Sequence, residues 1–325
     1  MMYLMNISNS MYDLEKFGGQ WHHLEKFIKK HQLDGVELIL YKDRYLDEIG
    51  PKHLIGLHLR YFPTWLEFYK NDQKALNDIF NTQKAIEDYY GGLKPKVLVD
   101  VFKEEYESAK KLGVEYMVYH VGHVTNADAF SFEFEYSDED VLNATVDIVN
   151  QAFDQDSDIY LLFENLWWPG MNLLDQEKTK MFLDQINYKK KGIMLDLSHL
   201  MITNPDLKTA KEATEYIIER INGLGELKEY IKGIHLNMSL SGEYLKENHK
   251  PKYQDISKMS NGFKKYQKIV EHIKRIDQHL PYDDVSVNEI IKLVKPEYIV
   301  FEFSSKTYDQ IDAYIYKQNK ILNRL

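Results

Sequence analysis

Eight short apolar runs, each too brief for a helix and each followed by a longer amphipathic stretch, limit what this chain can fold into. They cover residues 3–7, 35–40, 54–59, 115–120, 158–164, 192–196, 231–235 and 297–302. Short apolar runs of this kind suit strands buried on both faces, as in a parallel sheet covered by helices. Between them, apolar residues return at three- and four-residue steps over 21–31, 96–112, 138–153, 176–186, 210–221 and 288–294. Glycine closes such a stretch just before the next run in Lys111-Leu-Gly-Val114 and Gln32-Leu-Asp-Gly-Val36. Eight strands alternating with helices predict a (β/α)8 TIM barrel of the α/β class. No Pro- or Ser-rich linker divides residues 1–325, so one domain is expected. Residues 62–94 and 239–276 exceed simple connectors. Both follow strand ends and are predicted as long loops on the C-terminal face, where such barrels build their sites.

The ends of these runs carry the chemistry. His58 ends the third, His120 the fourth, Glu164 the fifth and Asp196 the sixth, with His199 three residues on; His235 ends the seventh and Glu302 the eighth. Asp277 and His279 add a pair in the segment after the seventh. Glu164 and Glu302 each close an apolar run, and an isolated buried carboxylate must find a cation or take up a proton. Four acidic or imidazole groups converging from Glu164, Asp196, His235 and Glu302 predict a divalent metal. His123 is expected to support this set from behind. His22, His23, His31, His53, His249 and His272 have no strand-end placement and are expected at the surface.

Composition narrows the chemistry further. The chain has no cysteine, so a metal must be held by His, Asp and Glu. With 44% hydrophobic and 28% charged residues it can bury a full core. A net charge of -10 argues against a basic clamp for nucleic acid over the whole surface, although bound cations supply charge that this count omits. No basic-flanked apolar leader opens the sequence and no run reaches the roughly 18–20 apolar residues of a membrane span. A cytoplasmic protein is expected, with no membrane association and no protein partner implied.

The strand pattern and the strand-end Glu, Asp, His and Glu resemble the xylose isomerase-like TIM barrels (AP endonuclease family 2). That superfamily joins sugar isomerases and epimerases with the endonuclease IV enzymes of DNA repair. The resemblance runs from Tyr3 to about Glu302. Glu164, Asp196, His235 and Glu302 match the set with which the epimerases hold one manganese or magnesium ion. Endonuclease IV holds three zinc ions with nine ligands, and the chain offers each: His58, His120, Glu164, Asp196, His199, His235, Asp277, His279 and Glu302. Tyr61 and Phe62 fall where that family places the Tyr-Leu pair that probes DNA, and Arg60 is expected beside them at the backbone of such a substrate. Trp167 and Trp168, in Glu164-Asn-Leu-Trp-Trp-Pro-Gly170, replace a small polar loop and suit stacking on a sugar or base. About forty residues separate His235 from Asp277 where endonuclease IV has a short loop, and Leu280-Pro-Tyr-Asp-Asp284 replaces a Gly-rich stretch.

Three functions follow from the resemblance and stay open on the sequence. The first is a multi-zinc phosphodiester hydrolase acting on abasic DNA or a related phosphoester. The second is a single-ion sugar or sugar-phosphate isomerase or epimerase, with Glu164 and Glu302 moving a proton and His199 contacting substrate. The third is a barrel that binds a sugar or nucleotide without turning it over.

Overall fold

The computed structural model describes residues 1–41 and 53–324. All eight apolar runs are strands: β1 (Met2–Ser8), β2 (Gly35–Ile39), β3 (Leu54–His58), β4 (Tyr116–His120), β5 (Tyr160–Glu164), β6 (Lys191–Asp196), β7 (Ile231–Leu236) and β8 (Tyr298–Phe301). They pair in parallel and in chain order, and β8 returns to pair with β1, so the sheet closes on itself. The fold is the predicted (β/α)8 barrel.

Two layers of apolar side chains account for it. Leu4, Tyr116, Val118, Leu162, Met194, Tyr298 and Val300 form one buried cluster contributed by strands alone, the filling of the barrel. Strand residues of the other face, such as Met117, Phe163, Leu195 and Ile299, join a much larger cluster with the surrounding helices. Tyr116 is bulky for the barrel interior. It fits because Gly56 pairs with it across β3 and β4, where a Cβ would lie 2.2 Å from the tyrosine ring.

The helices carry local signals that fix their ends. Gly113, at φ +68°, caps the helix Lys96–Leu112 and turns the chain into β4. Ser137 with Asp140, and Thr209 with Glu212, form reciprocal capping boxes at the starts of Asp138–Ala152 and Ala210–Gly223.

Two predicted long loops are helical. Residues 62–94 contain the helices Leu66–Tyr69, Gln73–Phe80 and Gln83–Tyr90, the last two capped by Asp72 and Thr82. Residues 239–276 contain Gly242–Leu245, Lys250–Ser257 and Gly262–Ile276, the last capped by Asn261. A final helix, Tyr308–Ile321, has no counterpart in the sequence reading. Asp312 on it bonds His31 Nε2 at 2.7 Å, and Asn319 donates to the His31 carbonyl, so His31 is buried rather than at the surface. Among the described residues no helix is long and apolar enough to cross a membrane.

The glycine opposite Tyr116 yields a direct test. Gly56→Ala is expected to cost about 1–3 kcal/mol of unfolding free energy, because the ring cannot retreat from a filled barrel. Gly262→Ala, with open space around it, should stay within about 0.5 kcal/mol. Urea denaturation of the two variants checks both values.

Candidate metal centre

The strand ends bring the predicted side chains to one place. His58, His120, Glu164 and Asp196 are the last residues of β3 to β6, His235 is next to last in β7, and Glu302 follows β8 directly. His199 lies not in an open loop but in the first turn of the short helix Leu197–Ile202. Asp196 has two roles here: one oxygen caps that helix by accepting from the His199 backbone N–H at 2.7 Å, and the other accepts from Asn237 at 2.8 Å. Asp277 and His279 arrive beside His199, at the end of the helical segment after β7.

The nine residues fall into three groups whose donor atoms lie within 4.8 Å of one another. They are His58, His120 and Glu164; Glu164, Asp196, His235 and Glu302; and His199, Asp277 and His279. Glu164 belongs to two groups. Its Oε2 stands 3.3 Å from both His58 Nε2 and His120 Nε2, while its Oε1 stands 3.2 Å from His235 Nδ1. Both oxygens are buried without a well-aligned hydrogen bond, as are His120 Nδ1 and His235 Nδ1. A charge-assisted hydrogen bond would draw such a pair to about 2.7–2.9 Å. Two ligands of one tetrahedral zinc, each at about 2.0–2.1 Å, stand about 3.3 Å apart. The spacing around Glu164 therefore fits an ion between donors better than direct pairing. At Asp277 the fit is different, since His279 Nε2 approaches Oδ2 at 2.5 Å as a direct ion pair.

Proton affinities reflect the crowding. Burial pushes the His120 ring down to about 3. At His58 burial acts the same way, but the Glu164 carboxylate outweighs it and lifts the ring to about 9. At His199 burial is outweighed by Asp196 and Asp277, which lift it to about 10. Burial raises the Asp196 carboxyl, whereas at Glu302 burial is overcome by His235 and His279, which lower it.

Most far ring nitrogens have acceptors that fix the tautomer. His58 Nδ1 donates to the Leu59 carbonyl at 3.3 Å, His199 Nδ1 to Asn165 at 2.8 Å and His279 Nδ1 to Glu302 at 3.1 Å, leaving Nε2 for the cluster. His235 is reversed: Nδ1 faces the cluster and Nε2 meets Glu37. The sequence reading passed over Glu37 as part of an apolar strand. Its signal was a carboxylate within Gly35-Val-Glu-Leu-Ile39, which burial obliges to find donors. His123, expected behind the cluster, serves the chain after β3 instead, where its Nδ1 accepts from the backbone of Trp65 and Leu66.

The aromatic residues divide. Tyr61 stacks on His120 at 4.5 Å and Trp167 lies 4.9 Å from His199. Tyr61 Oη and Trp167 Nε1 are buried without hydrogen-bond partners. Phe62 packs against Tyr89 and Tyr90, and Trp168 is buried with Val124, Ala129, Phe130 and Ile256. Arg60, beside the Phe62 ring, forms an ion pair with Glu105 at 3.9 Å.

The helical segment after β7 closes over this wall. Ile269 and Ile273 pack on the Trp168 cluster, and His272 stacks on Phe130 while bonding Tyr244 Oη and the Ala129 carbonyl. His249 and His272 are therefore buried, not at the surface: His249 precedes the helix Lys250–Ser257 and bonds the Tyr244 carbonyl, and His272 lies on the inner side of Gly262–Ile276. The most open members of the cluster are His279, Glu302 and His120, with 21%, 15% and 15% of their side chains exposed.

The chain and its fold are similar to known proteins. A family model described as "Xylose isomerase-like TIM barrel" matches residues 91–296. A relative named "Probable endonuclease 4", from Metamycoplasma arthritidis (strain 158L3-1), is 24% identical over 234 residues, spanning 72% of this chain and 76% of its own. The fold is similar to that of endonuclease IV from Thermus thermophilus, with a TM-score of 0.55, 13% identity and both chains fully covered. It is also similar to an L-ribulose 3-epimerase, with a TM-score of 0.51, 10% identity and 99% and 94% of the two chains covered.

Trp168 provides a test of the wall. Trp168→Ala is expected to lower the unfolding free energy by about 3–5 kcal/mol, the cost of emptying a buried aromatic site. A change below about 1 kcal/mol in chemical denaturation would place the ring outside the core.

Proposed function

The chain belongs to the xylose isomerase-like TIM barrel family, and within it we propose a multi-zinc phosphodiester hydrolase of the endonuclease IV kind, acting on abasic DNA or a related phosphoester. One observation carries this reading: the nine side chains form three neighbouring groups, two of them joined through Glu164, rather than one group. Likeness to a probable endonuclease 4 supports it. His58 and His120 with Glu164 would hold one divalent ion; Glu164, Asp196, His235 and Glu302 a second; His199, Asp277 and His279 a third. Bound ions would supply Lewis acidity toward phosphoryl oxygens and lower the pKa of water near the phosphorus.

The residues of the chain perform the rest. Glu164, by dividing its two oxygens, fixes the first two groups relative to one another. The neutral ring of His120 is set by burial and covered by Tyr61, which keeps bulk water from that side. Tyr61 Oη and Trp167 Nε1 have donors to spare and would bind substrate oxygens along the aromatic wall. Arg60 would meet the phosphate backbone beyond them. Phe62 and Trp168 would support this wall from behind.

A second reading is favoured by the four-residue group alone. Glu164, Asp196, His235 and Glu302 suffice for one manganese or magnesium ion, as in a sugar isomerase or epimerase, with free oxygens of Glu164 and Glu302 moving a proton beside a carbonyl and His199 contacting the sugar. A fold shared with an L-ribulose 3-epimerase supports it.

Elemental analysis of chain purified without chelator or added metal should find two to three zinc ions, in keeping with the three groups. The zinc-loaded chain should nick a duplex carrying one abasic site, and His120→Ala should abolish nicking. Intact duplex with fully loaded protein, together with solvent-proton exchange into a ketose, would replace the hydrolase by the epimerase.

Zinc loading should also release protons. His58 and His199 have folded pKa values raised to about 9 and about 10, so both rings are protonated in metal-free chain near neutral pH. Coordination requires a bare ring nitrogen, so these protons must leave. Calorimetric titration in two buffers of different ionisation enthalpy should give different heats; equal heats would mean that the rings are already neutral.

A further inference from the structure

Of the five imidazoles around this centre, three anchor the far nitrogen on a main-chain carbonyl, which no substitution removes. Among the described residues His120 anchors it on nothing. His235 alone has a side-chain carboxylate behind it. Glu37, fully buried on β2, stands 3.1 Å from His235 Nε2 with each of its oxygens. Two further donors hold that carboxylate in place: Asn6 Nδ2 reaches Oε1 at 2.8 Å from β1, and Tyr116 Oη reaches Oε2 at 2.8 Å from β4. Gly56 leaves the space in which the Tyr116 ring stands.

We propose that Glu37 is the positioning residue that fixes His235 as an Nδ1 ligand of the central ion, the one surrounded by Glu164, Asp196 and Glu302. This rests on the reading that those residues hold an ion. Three donors converge on Glu37, so it acts only as an acceptor, and the His235 ring must place its proton on Nε2. Nδ1 is then bare where it stands 3.2 Å from both Glu164 Oε1 and Glu302 Oε2. The negative charge behind the ring also raises the basicity of the ligating nitrogen. A glutamine in place of Glu37 has one acceptor oxygen for the same three donors. Its oxygen cannot serve all three, its NH2 meets the rest, and the charge that holds the His235 proton on Nε2 is gone. In the other two groups His58, His199 and His279 keep their main-chain anchors.

The experiment is zinc competition against a chromogenic chelator on the intact chain, wild type beside Glu37→Gln and Glu37→Asp. Glu37→Gln is expected to lose about 10–100-fold in affinity for one ion while the remaining ions keep theirs, and Glu37→Asp to recover part of the loss. Unchanged affinity for every ion in Glu37→Gln overturns the assignment. A wild-type chain that retains no zinc overturns the metal reading and this inference together, a distinct result. Should Glu37→Gln fail to fold, nitrogen-15 spectra of histidine-labelled, zinc-loaded wild type decide: a protonated Nε2 and bare Nδ1 on His235 support the assignment, and the opposite tautomer rejects it.

Discussion

The carboxylate of Glu164 is the point on which the arrangement turns. It is fully buried, and its oxygens face His58 and His120 on one side and His235 on the other at 3.2–3.3 Å, without one aligned hydrogen bond. A buried carboxylate left in that condition costs several kcal/mol, roughly the penalty of a desolvated charge without a partner. Shortening any one pair into a direct salt bridge would pull Glu164 away from the remaining rings. Cations between the donors would satisfy all of them at once, and would let separate strands end in polar groups at one end of an otherwise apolar barrel.

The barrel makes such convergence inexpensive in chain entropy. Each strand is fixed by its two neighbours and by a helix behind it, so a residue at its end needs no loop to place it. Only His199, Asp277 and His279 depend on structure beyond the strands, and each has an anchor of its own. His199 is placed by the turn that Asp196 caps, Asp277 by Ser198 and Ser239, which donate to its Oδ1, and His279 by the Glu302 carbonyl.

What the sequence disclosed follows from the same division. Apolar runs ending in His, Glu or Asp were readable because strand and ligand are adjacent in the chain, and all eight strands lie within two residues of the expected bounds. Glu37 was not readable as a partner of His235, because the two are 198 positions apart and only ring closure brings β2 within reach of β7. The segment after β7 was taken for a loop, although Asn261 is a good cap and Ile269, Ile273 and Ile276 repeat at helical spacing. Its helices pack on a small core of their own over Phe130 and Trp168 rather than on the strands. His31, His249 and His272 lack a strand-end placement, yet each is buried against a specific acceptor or ring that the linear pattern does not reveal.

The number of ions decides what charge of substrate the centre tolerates. With the central group alone, Glu164, Asp196 and Glu302 outweigh one dication, and the mouth stays negative on a chain whose net charge is already -10. A phosphate would be repelled there, whereas the hydroxyl and carbonyl oxygens of a neutral sugar would not. With all three groups filled, three dications exceed the four carboxylates, and a local positive site appears on an acidic protein. Phosphodiester chemistry therefore requires the outer ions as much for attraction as for catalysis. On this argument His58, His120, His199, Asp277 and His279, which a sugar isomerase could do without, are the residues that separate the two functions.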